Sequence, residues 1–170
     1  NVLRWAVAGD DRRRVHPPGD TQRFPAFLGH QVPVVSPFEL TGSAFTDAHM
    51  RGSSQVGYRA TSSLAVEVGM LVAAGERFVY AYYGGVDKIA HERGFGPFYD
   101  AELRAADRLV ADVLEQLPRG AALLVTADHG QVQVGANIVH PSSELLALCT
   151  LQSGEGRFRW LHARRGTADD

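Results

Sequence analysis

A chain of 170 residues, 45% hydrophobic and 21% charged, is long enough for about one domain with its own core, and its composition carries no mark of disorder. The net charge of −2 argues against nucleic acid as the main partner, since neutralising phosphates takes a basic surface. The opening residues read without a signal-peptide pattern, which says little about where a parent chain works, and no apolar run approaches the roughly 20 residues needed to cross a bilayer.

The chain opens on Asn1 and the apolar-rich residues 2–7, which read as a strand or the tail of a helix, and it ends at Asp170 without a finished element. Both ends read as cuts through a longer protein. Residues 1–57 are rich in Gly, Pro, Ser and polar side chains and are expected to form an irregular cover over a sheet edge. Within them Arg12, Arg13 and Arg14 read as a solvated loop. Residues 32–35 read as a short strand that Pro33 holds to an edge or a strand start.

Residues 58–140 are expected to form a βαβ core. Thr61, Ser62 or Ser63 is placed to cap a largely buried helix over residues 63–74, stopped by Gly75. Residues 78–83 (FVYAYY) are apolar enough for a strand covered on both faces. Leu103, Ala106, Leu109, Val110, Val113, Leu114 and Leu117 recur at spacings of three and four and predict an amphipathic helix over residues 98–117. Pro118-Arg119-Gly120 ends it, and residues 121–126 (AALLVT) read as a second buried strand. Residues 141–170 are the incomplete remainder: a short helix over 144–150 and an alternating strand over 157–162. Cys149 is alone and forms no internal disulfide, which suits a reducing cytoplasm. The fold class read from this order is α/β, a mostly parallel sheet with helices on both faces, truncated at both ends.

Each predicted core strand runs into an acid and a histidine: Asp87 and His91 after the first, Asp128 and His129 after the second. In parallel sheets ligands bind beyond the carboxyl ends of the strands. Carboxylate oxygen and neutral imidazole nitrogen suit Zn²⁺, and also Mn²⁺ or Fe²⁺. Either motif alone has a plain reading, an i,i+4 surface pair for the first and a capped strand end for the second. Together, ionisable groups at one sheet edge are costly without a partner, so the four are expected to hold metal. His49 and His140 are weaker candidates, His16, His30 and His162 weaker still, and Lys88 is placed to meet an anion or merely water.

The residues Tyr80-Ala81-Tyr82-Tyr83-Gly84-Gly85-Val86-Asp87-Lys88-Ile89-Ala90-His91-Glu92-Arg93-Gly94, with Asp107 and Val125-Thr126-Ala127-Asp128-His129-Gly130, resemble the alkaline phosphatase superfamily, most closely its nucleotide pyrophosphatase/phosphodiesterase branch. The resemblance implies an alkaline-phosphatase-like fold, hydrolysis of a small phosphorylated or nucleotide substrate, and two zinc ions. It assigns Asp87 and His91 to one ion, and Asp128 and His129 to the other. The family's Thr or Ser nucleophile and a further His ligand have no match: Thr21, Thr41, Ser43 and Thr46 lack a strand-end setting. The expectation is therefore an interior segment of a larger hydrolase that by itself binds metal weakly and turns over little. A non-catalytic α/β module and a sulfatase- or phosphomutase-like relative are the alternatives.

Overall fold

Short runs of β-branched residues flanked by proline and glycine build the sheet. The computed structural model describes residues 6–7, 10–154 and 159–167. They fall into two compact units, residues 1–131 and 132–170.

In the first unit, β1 (Ala6–Val7) and β2 (Asp10–Asp11) form a small antiparallel ladder, and α1 (Pro18–Thr21) follows. β3 (Pro33–Pro37) is next, then α2 (Ala44–His49) and β4 (Ser54–Tyr58). α3 (Thr61–Ala73) leads to β5 (Tyr80–Ala81), α4 (Gly85–Arg93) and the long α5 (Pro97–Gln116). The main sheet is three-stranded and parallel in the order β4-β3-β5, with Pro33 opposite Ser54, Pro37 opposite Tyr58, and Val34 opposite Tyr80. The expected parallel α/β character is thus observed. Pro33 stands at a strand start, as read, but the strand it opens is the central one. Its missing N–H falls at the first ladder position, where the loss is small.

The stretch expected to be an irregular cover therefore supplies two of the three strands. Val32, Val34 and Val35 are buried there, so three apolar positions outweigh the proline- and glycine-rich text around them. α3 packs over β3 and β4, and α5 packs on α3. The core they enclose comprises Val35, Tyr58, Leu64, Ala65, Val68, Leu109 and Val113. Gly69 permits the close approach of these two helices, since a Cβ there would lie 2.9 Å from the Gln116 Cβ. The α5 stripe was read correctly to within a residue. The expected side-chain cap of α3 is absent: Ala60 holds that position without a cap bond.

The second predicted strand is a correction. Residues 121–126 form no ladder, Leu124 is 87% exposed, and Val125 is also exposed. An apolar run becomes a strand only where an edge offers it paired N–H and C=O groups. β5 has shrunk from the predicted six residues to two, extended only by the Tyr82 N–H bond to the Val35 carbonyl (2.8 Å), so that edge is too short to template a neighbour.

In the second unit, Ser142 caps α6 (Ser143–Ala147) by accepting the Leu145 N–H at 3.2 Å. β6 (Cys149–Gly154) and β7 (Arg159–Ala163) then pair antiparallel; α6 and β7 lie close to the expected short helix and strand, whereas β6 was not expected. No helix among the described residues is long and apolar enough to cross a membrane.

Candidate functional site

The site begins where β5 stops. Gly84 and Gly85 turn the chain from the sheet into α4, whose first turn carries Asp87 and whose last turn carries His91. Acid early and base late is the favourable order for the helix dipole, and four residues apart puts both on one face. His91 Nε2 lies 3.5 Å from Asp87 Oδ1. Residues 127–131 return to the same place from the end of α5. His129 Nε2 stands 3.8 Å from that same Asp87 oxygen and 3.7 Å from Asp128 Oδ2. The four predicted residues are therefore brought together, with the Asp87 carboxylate between the two imidazoles. The second strand was not needed for this; an irregular segment delivers Asp128 and His129 to the same edge.

Two further residues belong to the site and escaped sequence reasoning. The Gln131 amide Nε2 donates to Asp87 Oδ1 at 2.7 Å. The only sequence signal was its position directly after Asp-His-Gly, in a stretch that read as a strand edge. Tyr82, read only as strand filling, has its phenol pKa raised by burial first and then by the negative charges of Asp87 and Asp128.

The orientation of His129 follows from one bond. Its Nδ1 lies 3.0 Å from the Gly130 carbonyl oxygen, an acceptor only, so Nδ1 carries the hydrogen. In the neutral ring the Nε2 lone pair is then free on the side of Asp87. A backbone carbonyl on the far nitrogen is the usual arrangement behind a ligating histidine.

Behind the site lies a tyrosine layer. The Tyr58 hydroxyl donates to the Tyr82 carbonyl at 3.2 Å, and the Tyr83 hydroxyl donates to the Glu102 carboxylate. Burial, followed by Glu39 and Tyr82, pushes Tyr58 up to about 12. Burial, followed by the Glu102 hydrogen bond, pushes Tyr83 up to about 12. Since these values are raised in the folded chain, the neutral phenols contribute stability fully below the unfolded tyrosine value of about 10, and lose it as pH climbs toward the folded value. Ultraviolet titration of phenolate should show Tyr58 and Tyr83 ionising late among the five tyrosines, with the melting temperature falling between about pH 10 and 12. Tyr58→Phe and Tyr83→Phe should each remove one late proton; ionisation of all five together near pH 10 would contradict the placement.

The remaining candidates have local roles or stand apart. His49 stacks on Phe45 with ring centroids 4.5 Å apart, the packing role weighed for it. His162 pairs with the Ser153 hydroxyl at 2.8 Å within the β6–β7 hairpin. His30 lines a cleft at the amino ends of the strands, together with Val32, Glu76 and Phe78. A second cleft, lined in part by Asp47, Arg51 and Gln55, also opens near the start of a strand. Both concavities sit at the sheet edge opposite Asp87, so the chemistry rather than the largest hollow marks the site. Lys88 and Asp107 are exposed, and His140 lies in the other unit. Ser43 caps α2 through the Thr46 N–H (3.2 Å), and the Thr46 hydroxyl donates to the Leu40 carbonyl (2.6 Å), so neither is poised as a nucleophile.

Whether the donors fit a metal is a question of kind and spacing. Two donors about 2.1 Å from one tetrahedral ion stand about 3.4 Å apart. The observed separations of 3.5, 3.7 and 3.8 Å are close to that. They run as a chain, His91–Asp87–His129–Asp128, and among the described residues no group of three or more such side chains surrounds a single point. The donor types suit a cation in chemistry, and their pairwise separations are close to those of two ligands on one ion.

An α/β domain with carboxylate–imidazole pairs at the carboxyl edge of a parallel sheet is the class of protein that the fold and the site define. The family model for type I phosphodiesterase / nucleotide pyrophosphatase matches residues 33–166, and the chain belongs to that family. No curated protein and no solved structure matches it. The resemblance carried by residues 80–94 and 125–130 is thereby confirmed at the level of the family.

Proposed function

We propose that this chain contributes the metal-holding part of a phosphate ester hydrolase, acting on the phosphodiester or pyrophosphate group of a small phosphorylated or nucleotide substrate. The observation that carries the reading is the Asp87 carboxylate within reach of both His91 and His129 in a member of this family. Asp87, His91, Asp128 and His129 would hold the cations, with Zn²⁺ favoured by the mixed oxygen and nitrogen donors over Mn²⁺ or Fe²⁺. Bound there, such ions would clamp the phosphate, activate the nucleophile and neutralise the leaving oxygen.

The chain's own side chains prepare that setting. Gln131 fixes one Asp87 oxygen with its amide, and the Gly130 carbonyl fixes the His129 tautomer. Tyr82, whose phenol pKa is raised by burial and by the charges of Asp87 and Asp128, would serve as a donor for a phosphate oxygen. Four ligands divided between two ions leave each with two, fewer than the three that catalytic zinc usually takes, so residues 1–170 alone are expected to bind metal weakly and turn over little.

The test is hydrolysis of bis(p-nitrophenyl) phosphate by the full-length chain that carries this segment, with elemental analysis of its metal. Turnover lost on chelation and restored by zinc is the expected result. The absence of three converged donors among the described residues favours a second reading, a non-catalytic α/β module whose acids and histidines merely pair. Metal-free, inactive protein would establish that reading in place of the first. Full activity of residues 1–170 alone would overturn the partial-site account.

A further inference from the structure

Tyr83 is the residue on which three helices meet. Its ring is partly buried against the core, and its hydroxyl donates to Glu102 on α5. The core it packs against includes Leu64 and Val68 of α3. The same hydroxyl and the same Glu102 oxygen occupy the space that a Cβ on Gly85, the first residue of α4, would fill. The first turn of α4 thus rests on the Tyr83–Glu102 pair, and Asp87 follows two residues later on that turn.

The geometry points to Tyr83 and Glu102 as positioning residues: their hydrogen bond sets the start of α4 and so aims Asp87 between His91 and His129. Neither side chain is among the candidate ligands, and both act on the ligands through backbone. The inference rests on the metal-holding reading for its consequence, though its geometry stands apart from it. The glycine is part of the device, since no other residue admits both polar groups against the helix start. Because Tyr83 stays protonated up to about pH 12, the hydroxyl remains a donor across any working pH.

The test pairs a metal-free readout with a metal readout. Amide hydrogen exchange of residues 86–88 in the metal-free chain should quicken about tenfold in Tyr83→Phe, while α3 and the far half of α5 keep their protection. Calorimetric titration with zinc alone should show affinity weakened by about tenfold. Glu102→Gln, whose amide oxygen still accepts from the phenol, should stay near wild type in both, and Glu102→Ala should match Tyr83→Phe. Unchanged exchange in Tyr83→Phe, or loosening of all three helices together, would overturn the proposal. If Tyr83→Phe does not fold, the contrast between Glu102→Ala and Glu102→Gln makes the same decision. If the wild-type chain takes no zinc, the metal reading fails and the exchange data alone judge the brace.

Discussion

On the proposed metal-holding reading, Asp87→Ala is expected to abolish zinc retention and to lower kcat/KM for phosphodiester hydrolysis by more than about 100-fold, a larger loss than removal of an outer partner brings. The reason is its place in the cluster: one oxygen faces His91 at 3.5 Å and His129 at 3.8 Å and takes the Gln131 amide at 2.7 Å. Its carboxylate faces both imidazoles, and through His129 it is joined to Asp128. The effect should not pass through folding. The Asp87 side chain is 45% exposed, and replacement of so open a group away from the core should change stability by within about 0.5 kcal/mol. Two graded controls sharpen the expectation. Gln131→Ala removes only the amide that orients the carboxylate and should cost about 10-fold. Asp128→Ala, whose carboxylate is 87% exposed and contacts only His129 within the cluster, should fall between the two. An Asp87→Ala chain that melts like wild type yet keeps its zinc and turnover would remove the basis for the site.

That cluster was legible because its chemistry is written in adjacent letters. Asp87 and His91 are one helical turn apart, and Asp128, His129 and Gly130 are consecutive, so local geometry alone limits where they can point. The strand behind the second pair was not legible. AALLVT has the composition of a covered strand, but whether it pairs depends on an edge supplied by distant residues, and β5 offers only Tyr80 and Ala81. β3 was read as a short strand over residues 32–35, but β4 was obscured for the opposite reason: a five-residue strand set among glycines and serines gives periodicity too little length to register. α5 was read to within a residue because twenty residues of one stripe need no tertiary help. Gln131, Tyr82 and the Tyr83–Glu102 bond were missed because each becomes significant only through a partner far away in the chain. Gln131 and Asp87, for example, lie 44 residues apart.

Val35→Asp is expected to unfold the first unit altogether. Val35 is fully buried, with no exposed surface, in the middle of the central strand, opposite Val56 on one side and Ala81 on the other. The core it joins holds Leu64, Val68, Leu109 and Val113 from the two packed helices, and no cationic side chain belongs to it. A carboxylate there must either stay charged without a partner or take up a proton, and by either route the cost is about 4 kcal/mol or more. Stabilities of domains of this size are about 5–15 kcal/mol, so the variant should show no cooperative melt by circular dichroism and no zinc retention. Val35→Ala separates lost packing from buried charge: it should remain folded with about 2–3 kcal/mol less stability in urea titration. The consequence reaches the site because the Val35 carbonyl accepts the Tyr82 N–H, the bond that carries the sheet one residue past β5 toward Gly84 and α4. A cooperative, wild-type melt for Val35→Asp would mean that β3 is not the centre of the fold. In that case the edge on which Asp87, His91, Asp128 and His129 are gathered would have no sheet beneath it.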